Sequence, residues 1–301
     1  MLKSIGLTVS VGLLGLGSCS DAPVRTEVSS ATITEFENPY FSVEVTGSGP
    51  DIILMPGLAS SRAVWDGTVD VLKDRYTLHA IQVNGFAGAP TLGNAGNENI
   101  LDDLADGIAA YSSELESSSV LVGHSLGGLV AMKTALEPDA NLRQLIIVDV
   151  LPFFSVLMDP AATADSMAPV AAMMKATLIS QPDDLFALRQ SEALKDLVKG
   201  ESDLNLALKW SVESDRAVMA QAMSEVLVTD LREQVANIAV PTLVIYARDS
   251  AIPNLEGIER FYETLYSRIP DHRLIAIDDA FHFVMLDQPD AFLAALQTAL
   301  N

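Results

Sequence analysis

The stretch Val120-Leu121-Val122-Gly123-His124-Ser125-Leu126-Gly127-Gly128 constrains this chain more than any other: an apolar strand runs into a turn with glycines on both sides of a serine, and a helix starts directly after it. This is the pattern of a G-x-S-x-G nucleophile elbow. A serine hydroxyl attacks poorly in water, so the turn acquires chemical meaning only with a base beside the hydroxyl and amide donors facing the oxyanion that forms. Gly123 and Gly127 leave room where a Cβ would meet neighbouring backbone, and the turn lifts Ser125 Oγ above the sheet edge. The Leu126 amide, at the helix start, is then one candidate oxyanion donor. By itself the pentapeptide also fits an ordinary strand-to-helix turn, and the rest of the chain decides between the two.

Phe41-Ser42-Val43-Glu44-Val45 alternates apolar with polar residues as a half-buried strand does, and Asp51-Ile52-Ile53-Leu54-Met55 reads as a strand covered on both faces. The loop Pro56-Gly57-Leu58-Ala59 follows directly, where a second oxyanion donor would have to sit, and Leu58 N–H is the candidate. Further strands are expected at 76–83 and 145–150, with a helix between them whose apolar face is Ile100, Leu101, Leu104, Ile108, Tyr111 and Leu115. From 151 to 232 no strand-like run occurs. Helix starts recur there at Gln181-Pro182-Asp183, at Gly200-Glu201 and at Ser214-Asp215. This segment is rich in methionine (Met158, Met167, Met173, Met174, Met219, Met223), a side chain that fills irregular apolar space, and most of these are expected between helices. The sheet resumes at Pro241-Thr242-Leu243-Val244-Ile245-Tyr246-Ala247, a helix is expected over 255–269, a last strand over 273–277 and a closing helix over 289–300. Strands alternating with helices in this way predict an α/β chain with a mostly parallel central sheet covered by helices on both faces, interrupted by a helical insertion.

Loops that follow strands carry Ser125, then Asp249, then His282, and Ser…Asp…His is the chain order that elbow-bearing α/β hydrolases use. The chain resembles the α/β-hydrolase fold superfamily, in its cap-bearing serine esterase form, over roughly 41–300. The likeness rests on Gly123-His124-Ser125-Leu126-Gly127-Gly128, on Asp230-Leu231-Arg232 leading to Pro241-Thr242-Leu243-Val244 and Asp249, and on His282 followed by Leu286-Asp287-Gln288-Pro289. The resemblance implies Ser125 as nucleophile, His282 as base and later acid, and Asp249 as the group that orients the imidazole. Asp149 competes with Asp249, because some members of this fold carry the acid one strand earlier. Many relatives have a histidine before the oxyanion-loop glycine; here Pro56 stands there, while the donor required is the amide after Gly57. The implied activity is hydrolysis of a carboxylic ester, or of a lactone or thioester, through an acyl-serine intermediate, with a modest apolar acyl group held under the cap. Hydrolysis of C–C or amide bonds, and a ligand-binding role with negligible turnover, are the alternatives the fold allows. A serine at the elbow argues against epoxide hydrolysis and dehalogenation, which need a carboxylate nucleophile.

Composition limits the partners. With 40 acidic against 18 basic residues and a formal charge of −22, the body repels nucleic-acid backbones and anionic lipid surfaces. No Cys/His/carboxylate cluster has metal-ligand spacing and no nucleotide-binding glycine pattern occurs, so no cofactor is expected. Lys3 followed by the uncharged run 5–17 reads as a signal peptide, too short to span a bilayer, and predicts export to the bacterial periplasm or cell surface. Leu16-Gly17-Ser18-Cys19 resembles a lipobox, which makes the sole cysteine, Cys19, the candidate lipidation site and the only expected link to a membrane. The expected organisation is a signal peptide at 1–18, a polar tether at 19–38, the α/β core at 39–150, a helical cap at 151–232 and the second part of the core at 233–301.

Overall fold

A computed structural model of the chain describes residues 34–252 and 254–300. The expected signal peptide, Cys19 and most of the expected tether lie outside the described residues. The strands are β1 (Thr34–Glu37), β2 (Phe41–Gly47), β3 (Asp51–Met55), β4 (Thr77–Val83), β5 (Ser119–His124), β6 (Leu142–Val148), β7 (Thr242–Arg248) and β8 (His272–Asp278). They form one eight-stranded sheet in the order β1-β2-β4-β3-β5-β6-β7-β8. β1 and β2 run antiparallel to their neighbours, and every pairing from β4 onward is parallel.

The apolar runs work as the sequence implies. On β3, β5, β6 and β7 successive residues face opposite sides, and both sides are buried. Ile53, Leu121, Ile147 and Val244 enter one core together with Leu104 and Ile108 of α2 (Ile100–Ser113), Leu129 of α3 (Leu126–Thr134) and Tyr262 of α8 (Leu255–Tyr266). Ile52, Val122, Ile146 and Ile245 enter the other with Leu72 of α1 (Asp66–Leu72) and Phe292 and Leu296 of α10 (Pro289–Leu300). Burying each such aliphatic side chain is worth about 2 kcal/mol, which fixes the three-layer sandwich and the strand register with it.

One boundary is corrected. The polar stretch expected to be tether as far as residue 38 contributes its last part to the sheet, where Thr34 pairs with Val45 and Glu37 with Ser42. The two-residue period of Thr34-Glu35-Phe36-Glu37 is short and follows a polar run, so composition conceals it.

Between β6 and β7 the described chain contains only helical elements: the 3₁₀ turn Phe154–Leu157, α4 (Ala164–Ser180), α5 (Asp183–Leu194), α6 (Glu201–Glu213), α7 (Arg216–Val228) and the 3₁₀ turn Gln234–Asn237. Two of these helices, α4 and α7, have side-chain caps at their starts. Asp215 Oδ1 accepts from the N–H groups of Ala217 and Val218, each at 3.0 Å, and Thr163 with Ser166 closes a capping box on α4. Met167 and Met219 are buried and Met174 and Met223 pack partly buried against the core, as expected for most of these side chains, whereas Met158 and Met173 face solvent. α9 (Val284–Asp287) is a single turn that leads into α10.

Candidate active site

Two strands end in the same way. Ser125 N–H donates to Val148 O at 2.9 Å and Asp149 N–H to Ile245 O at 2.8 Å, so each residue makes the last bond of its ladder. Each then turns to positive φ, 54° at Ser125 and 48° at Asp149, which swings the side chain over the carboxyl edge of the sheet. Such conformations cost a non-glycine residue about 1–3 kcal/mol and persist only where the surroundings enforce them. At the elbow the enforcement is steric. A Cβ on Gly123 would lie 2.2 Å from Gly127 O, and one on Gly127 would lie 2.5 Å from Pro56 O, so both positions have to be glycine for α3 to approach β5 and the Pro56 loop.

His282, in the loop after β8, turns its Nδ1 to Asp149 Oδ2 at 2.7 Å. Asp149 is therefore the carboxylate on the imidazole, and Asp249 is not. Strand register explains the correction. Val148 pairs with Ile245, which sets Asp149 level with Tyr246, whereas Asp249 comes three residues later, about 10 Å farther along the chain. There Asp249 Oδ2 accepts from Lys199 Nζ at 2.6 Å, and that bond holds its carboxyl below the usual range. The other Asp149 oxygen, Oδ1, accepts from Ala247 N–H at 2.8 Å and from Tyr262 OH at 3.1 Å. Tyr262 is fully buried, stacks on Tyr246 at 4.5 Å and has its phenol pushed well above its ordinary pKa, chiefly by burial, so it remains a proton donor to the carboxylate. Tyr266 OH, one turn later on α8, donates to Val150 O at 2.6 Å and secures the other side of the Asp149 turn.

Ser125, His282, Leu58 and Leu126 all line one cavity of about 380 Å³ beneath the cap, so four of the five expected catalytic or oxyanion positions come together. Ser125 Oγ and His282 share that cavity without a hydrogen bond between them. In hydrolases of this design that contact commonly tightens only when substrate is bound. Leu126 is the first residue of α3, so its N–H has no intrahelical acceptor and is free to serve a ligand. On the facing loop, Ser60 N–H donates to Gly57 O at 3.2 Å and Ala59 takes φ 54°, a tight turn that brings Leu58 to the cavity wall. Gly57 is required by proximity, since a Cβ there would meet His124 Nδ1 at 3.0 Å and Ser125 Cβ at 3.1 Å.

His124, inside the elbow, has a role of its own. Its ring is fully buried, 4.6 Å from that of His282, and Nε2 donates to the backbone carbonyl of His282 at 3.0 Å. Burial, and secondarily the neighbouring His282, push its pKa well below the ordinary 6.5, so it is the neutral Nε2–H tautomer that holds the loop. A folded-state pKa depressed in this way contributes stability that is present above pH 6.5 and is lost as pH falls below it, because the unfolded chain takes up a proton the folded one excludes. The melting temperature is expected to fall from about pH 6.5 downward and to fall less steeply in His124→Gln, which keeps an N–H donor and cannot be protonated. Melting curves between about pH 7.5 and pH 5 check this, and equal slopes for both proteins would refute it.

The His282 loop is also tied to the cap. Lys199 N–H donates to Asp287 Oδ1 at 2.9 Å, Phe281 N–H to Asp287 Oδ2 at 2.8 Å and Phe283 N–H to Leu197 O at 3.1 Å. Lys199 Nζ bonds both Asp249 and Asp279, and its pKa is raised chiefly by the Asp249 bond. Asp287 thus joins the backbone of the cap at Lys199 to that of the His282 loop at Phe281. Nothing local in the sequence marks the contacts between cap and core, which span 50 to 88 residues. Among the described residues no group of three or more His, Cys, Asp or Glu side chains is placed to hold a metal ion.

Comparison with known proteins agrees with this architecture. The sequence profile described as "Alpha/beta hydrolase family" matches residues 52–295. The pimeloyl-[acyl-carrier protein] methyl ester esterase of Aeromonas hydrophila is 29% identical over 263 residues, covering 85% of this chain and 97% of that protein. The enzyme of the same name from Nitrosomonas europaea is 25% identical over 253 residues, covering 84% and 96%. Among solved structures, a hydrolase from Pseudomonas aeruginosa superposes with a TM-score of 0.69 at 18% identity, covering 91% of this chain and all of that one. An enol-lactonase from Burkholderia xenovorans does so with 0.68 at 18% identity, covering 86% and 96%.

Proposed function

Because this chain belongs to the alpha/beta hydrolase family, its profile matching residues 52–295, we propose that it cleaves carboxylic esters by way of an acyl-Ser125 intermediate. That it is a hydrolase follows from the family and its esterase-named relatives. The observation that carries the mechanism is the 2.7 Å bond from His282 Nδ1 to Asp149 at the cavity that Ser125 also lines. With Nδ1 engaged, Nε2 is the nitrogen left to take the proton from Ser125 Oγ as the oxygen attacks the ester carbonyl. The oxyanion then forms where the amides of Leu126 and Leu58 stand. His282 returns its proton to the leaving alcohol, and a water molecule repeats the sequence on the acyl-serine.

The wall of the cavity is mainly apolar, with leucine the commonest residue, and its volume of about 380 Å³ suits an apolar acyl or alkoxy group of modest size. Relatives named for methyl ester and enol-lactone hydrolysis support an unhindered ester or lactone as substrate. A fluorophosphonate probe is expected to label the native protein rapidly, with one adduct at Ser125. A folded protein that takes up no label is a binder and not a serine hydrolase.

We also infer export through the signal-peptide pattern at 1–18, with Cys19 lipidated as the first residue of the mature chain. Mass spectrometry of the mature N-terminus tests this, and an unmodified start downstream of Cys19 rules the anchor out.

A further inference from the structure

Almost every polar side chain of the cavity is committed to another protein group. Ser60 Oγ donates to Leu58 O at 3.3 Å, Tyr262 OH to Asp149 at 3.1 Å and His124 Nε2 to His282 O at 3.0 Å, while Ser125 and His282 belong to the proposed chemistry. Apart from the exposed Asp196, one pair, contributed by the cap, remains. Gln190 on α5 and Ser211 on α6 both line the cavity, and Ser211 Oγ donates to Gln190 Oε1 at 3.0 Å. This bond uses the acceptor end of the amide and fixes its plane. Nε2 is left with two N–H donors and no protein partner among the described residues. Apart from Asp196, the rest of the cap's share of the cavity wall is mainly apolar, with Leu157, Leu194, Met219, Met223 and Val226. Gln190 is only half-buried, so its amide donors are open to solvent, and an acceptor on a bound substrate would take the place of water there.

Resting on the serine-hydrolase reading of this same cavity, we propose that Gln190, held by Ser211, is a substrate subsite in the cap that receives a neutral hydrogen-bond acceptor, such as a keto, ether or second ester oxygen, remote from the scissile bond. A neutral acceptor is favoured over a carboxylate because Asp196 lines the same cavity and the chain carries a formal charge of −22. The cap thereby selects among apolar acyl chains by a single polar feature, and the sheet-edge residues perform the chemistry on whichever ester is seated.

The test compares chains of equal length with and without the oxygen: p-nitrophenyl hexanoate against p-nitrophenyl 4-methoxybutanoate and p-nitrophenyl 5-oxohexanoate, each corrected for its rate with hydroxide. The native enzyme is expected to prefer at least one oxygen-bearing ester by about fivefold in kcat/KM, the size of one neutral hydrogen bond. The preference disappears in Gln190→Leu and shrinks in Ser211→Ala, where the amide loses its orienting partner. Because the readout is a ratio within each protein, a loss of folded enzyme common to both substrates cancels, and Gln190→Glu, which keeps size and polarity but removes both donors, gives the same result by another route. Equal kcat/KM for all three esters in the native enzyme, or a preference that survives in Gln190→Leu and Gln190→Glu, overturns the subsite while leaving the hydrolase intact. Absence of turnover of every ester together with absence of fluorophosphonate labelling overturns the hydrolase reading, and the subsite falls with it.

Discussion

Exchanging Asp149 for Asn lowers kcat on a short p-nitrophenyl ester by about 10⁴-fold with little change in KM, whereas Asp249→Asn changes kcat only a few-fold. The first figure is the size of effect seen when the carboxylate of a Ser-His-Asp arrangement becomes an amide. An asparagine at 149 can still reach Nδ1, but it can do so by donating, which leaves the Nε2–H tautomer and no lone pair for the Ser125 proton. Among the described residues the carboxylate at 149 is also the only one that meets the imidazole, at 2.7 Å, whereas that of Asp249 is spent on Lys199 at 2.6 Å. Removing Asp249 therefore loosens a contact of the cap rather than the proton path. Steady-state kinetics on the two variants decide the matter, and the reverse ranking would return the acid to Asp249.

Ser125→Ala is expected to reduce kcat by about 10⁶-fold, since the loss of the nucleophile disables the base and the acid with it. Alanine tolerates φ 54° no worse than serine does, and the N–H bond to Val148 O does not involve the side chain, so the melting temperature should stay near that of the native protein. The residual rate over water then measures what the amides of Leu58 and Leu126 contribute without a nucleophile. Turnover undiminished in the folded variant would contradict the mechanism outright.

The parts that sequence disclosed are those encoded locally. The elbow is legible because Gly123 and Gly127 are dictated by backbone within a few residues, and the sheet is legible because Ile52-Ile53-Leu54-Met55 and Leu145-Ile146-Ile147-Val148 have to be buried on both faces. His282 is legible because it follows a strand. The acid was not, because choosing between Asp149 and Asp249 depends on how β6 and β7 slide past one another, and both residues follow a buried strand in the same way. Asp149 does leave one trace, a charged residue between Leu145-Ile146-Ile147-Val148 and Val150-Leu151, but that trace does not say which neighbour it serves. The role of His124 was hidden for a different reason: its partner is a backbone carbonyl 158 residues away, and no side-chain pattern announces a carbonyl. β1 is not legible, because four residues of alternation are too few to stand out after a polar run.

The clasp of Lys199, Leu197 and Asp287 on the loop that bears His282 has a consequence for engineering. A chimaera made by cutting the α4–α7 insertion out of this chain and fitting a relative's in its place would not merely change which esters fit. It would release the imidazole from one of its moorings, and the hybrid would be a slower catalyst toward every substrate unless the graft brought along an equivalent of the 197–199 segment. Selectivity and turnover in this scaffold are thus linked traits, and evolution or design that reshapes the one has to rebuild the other.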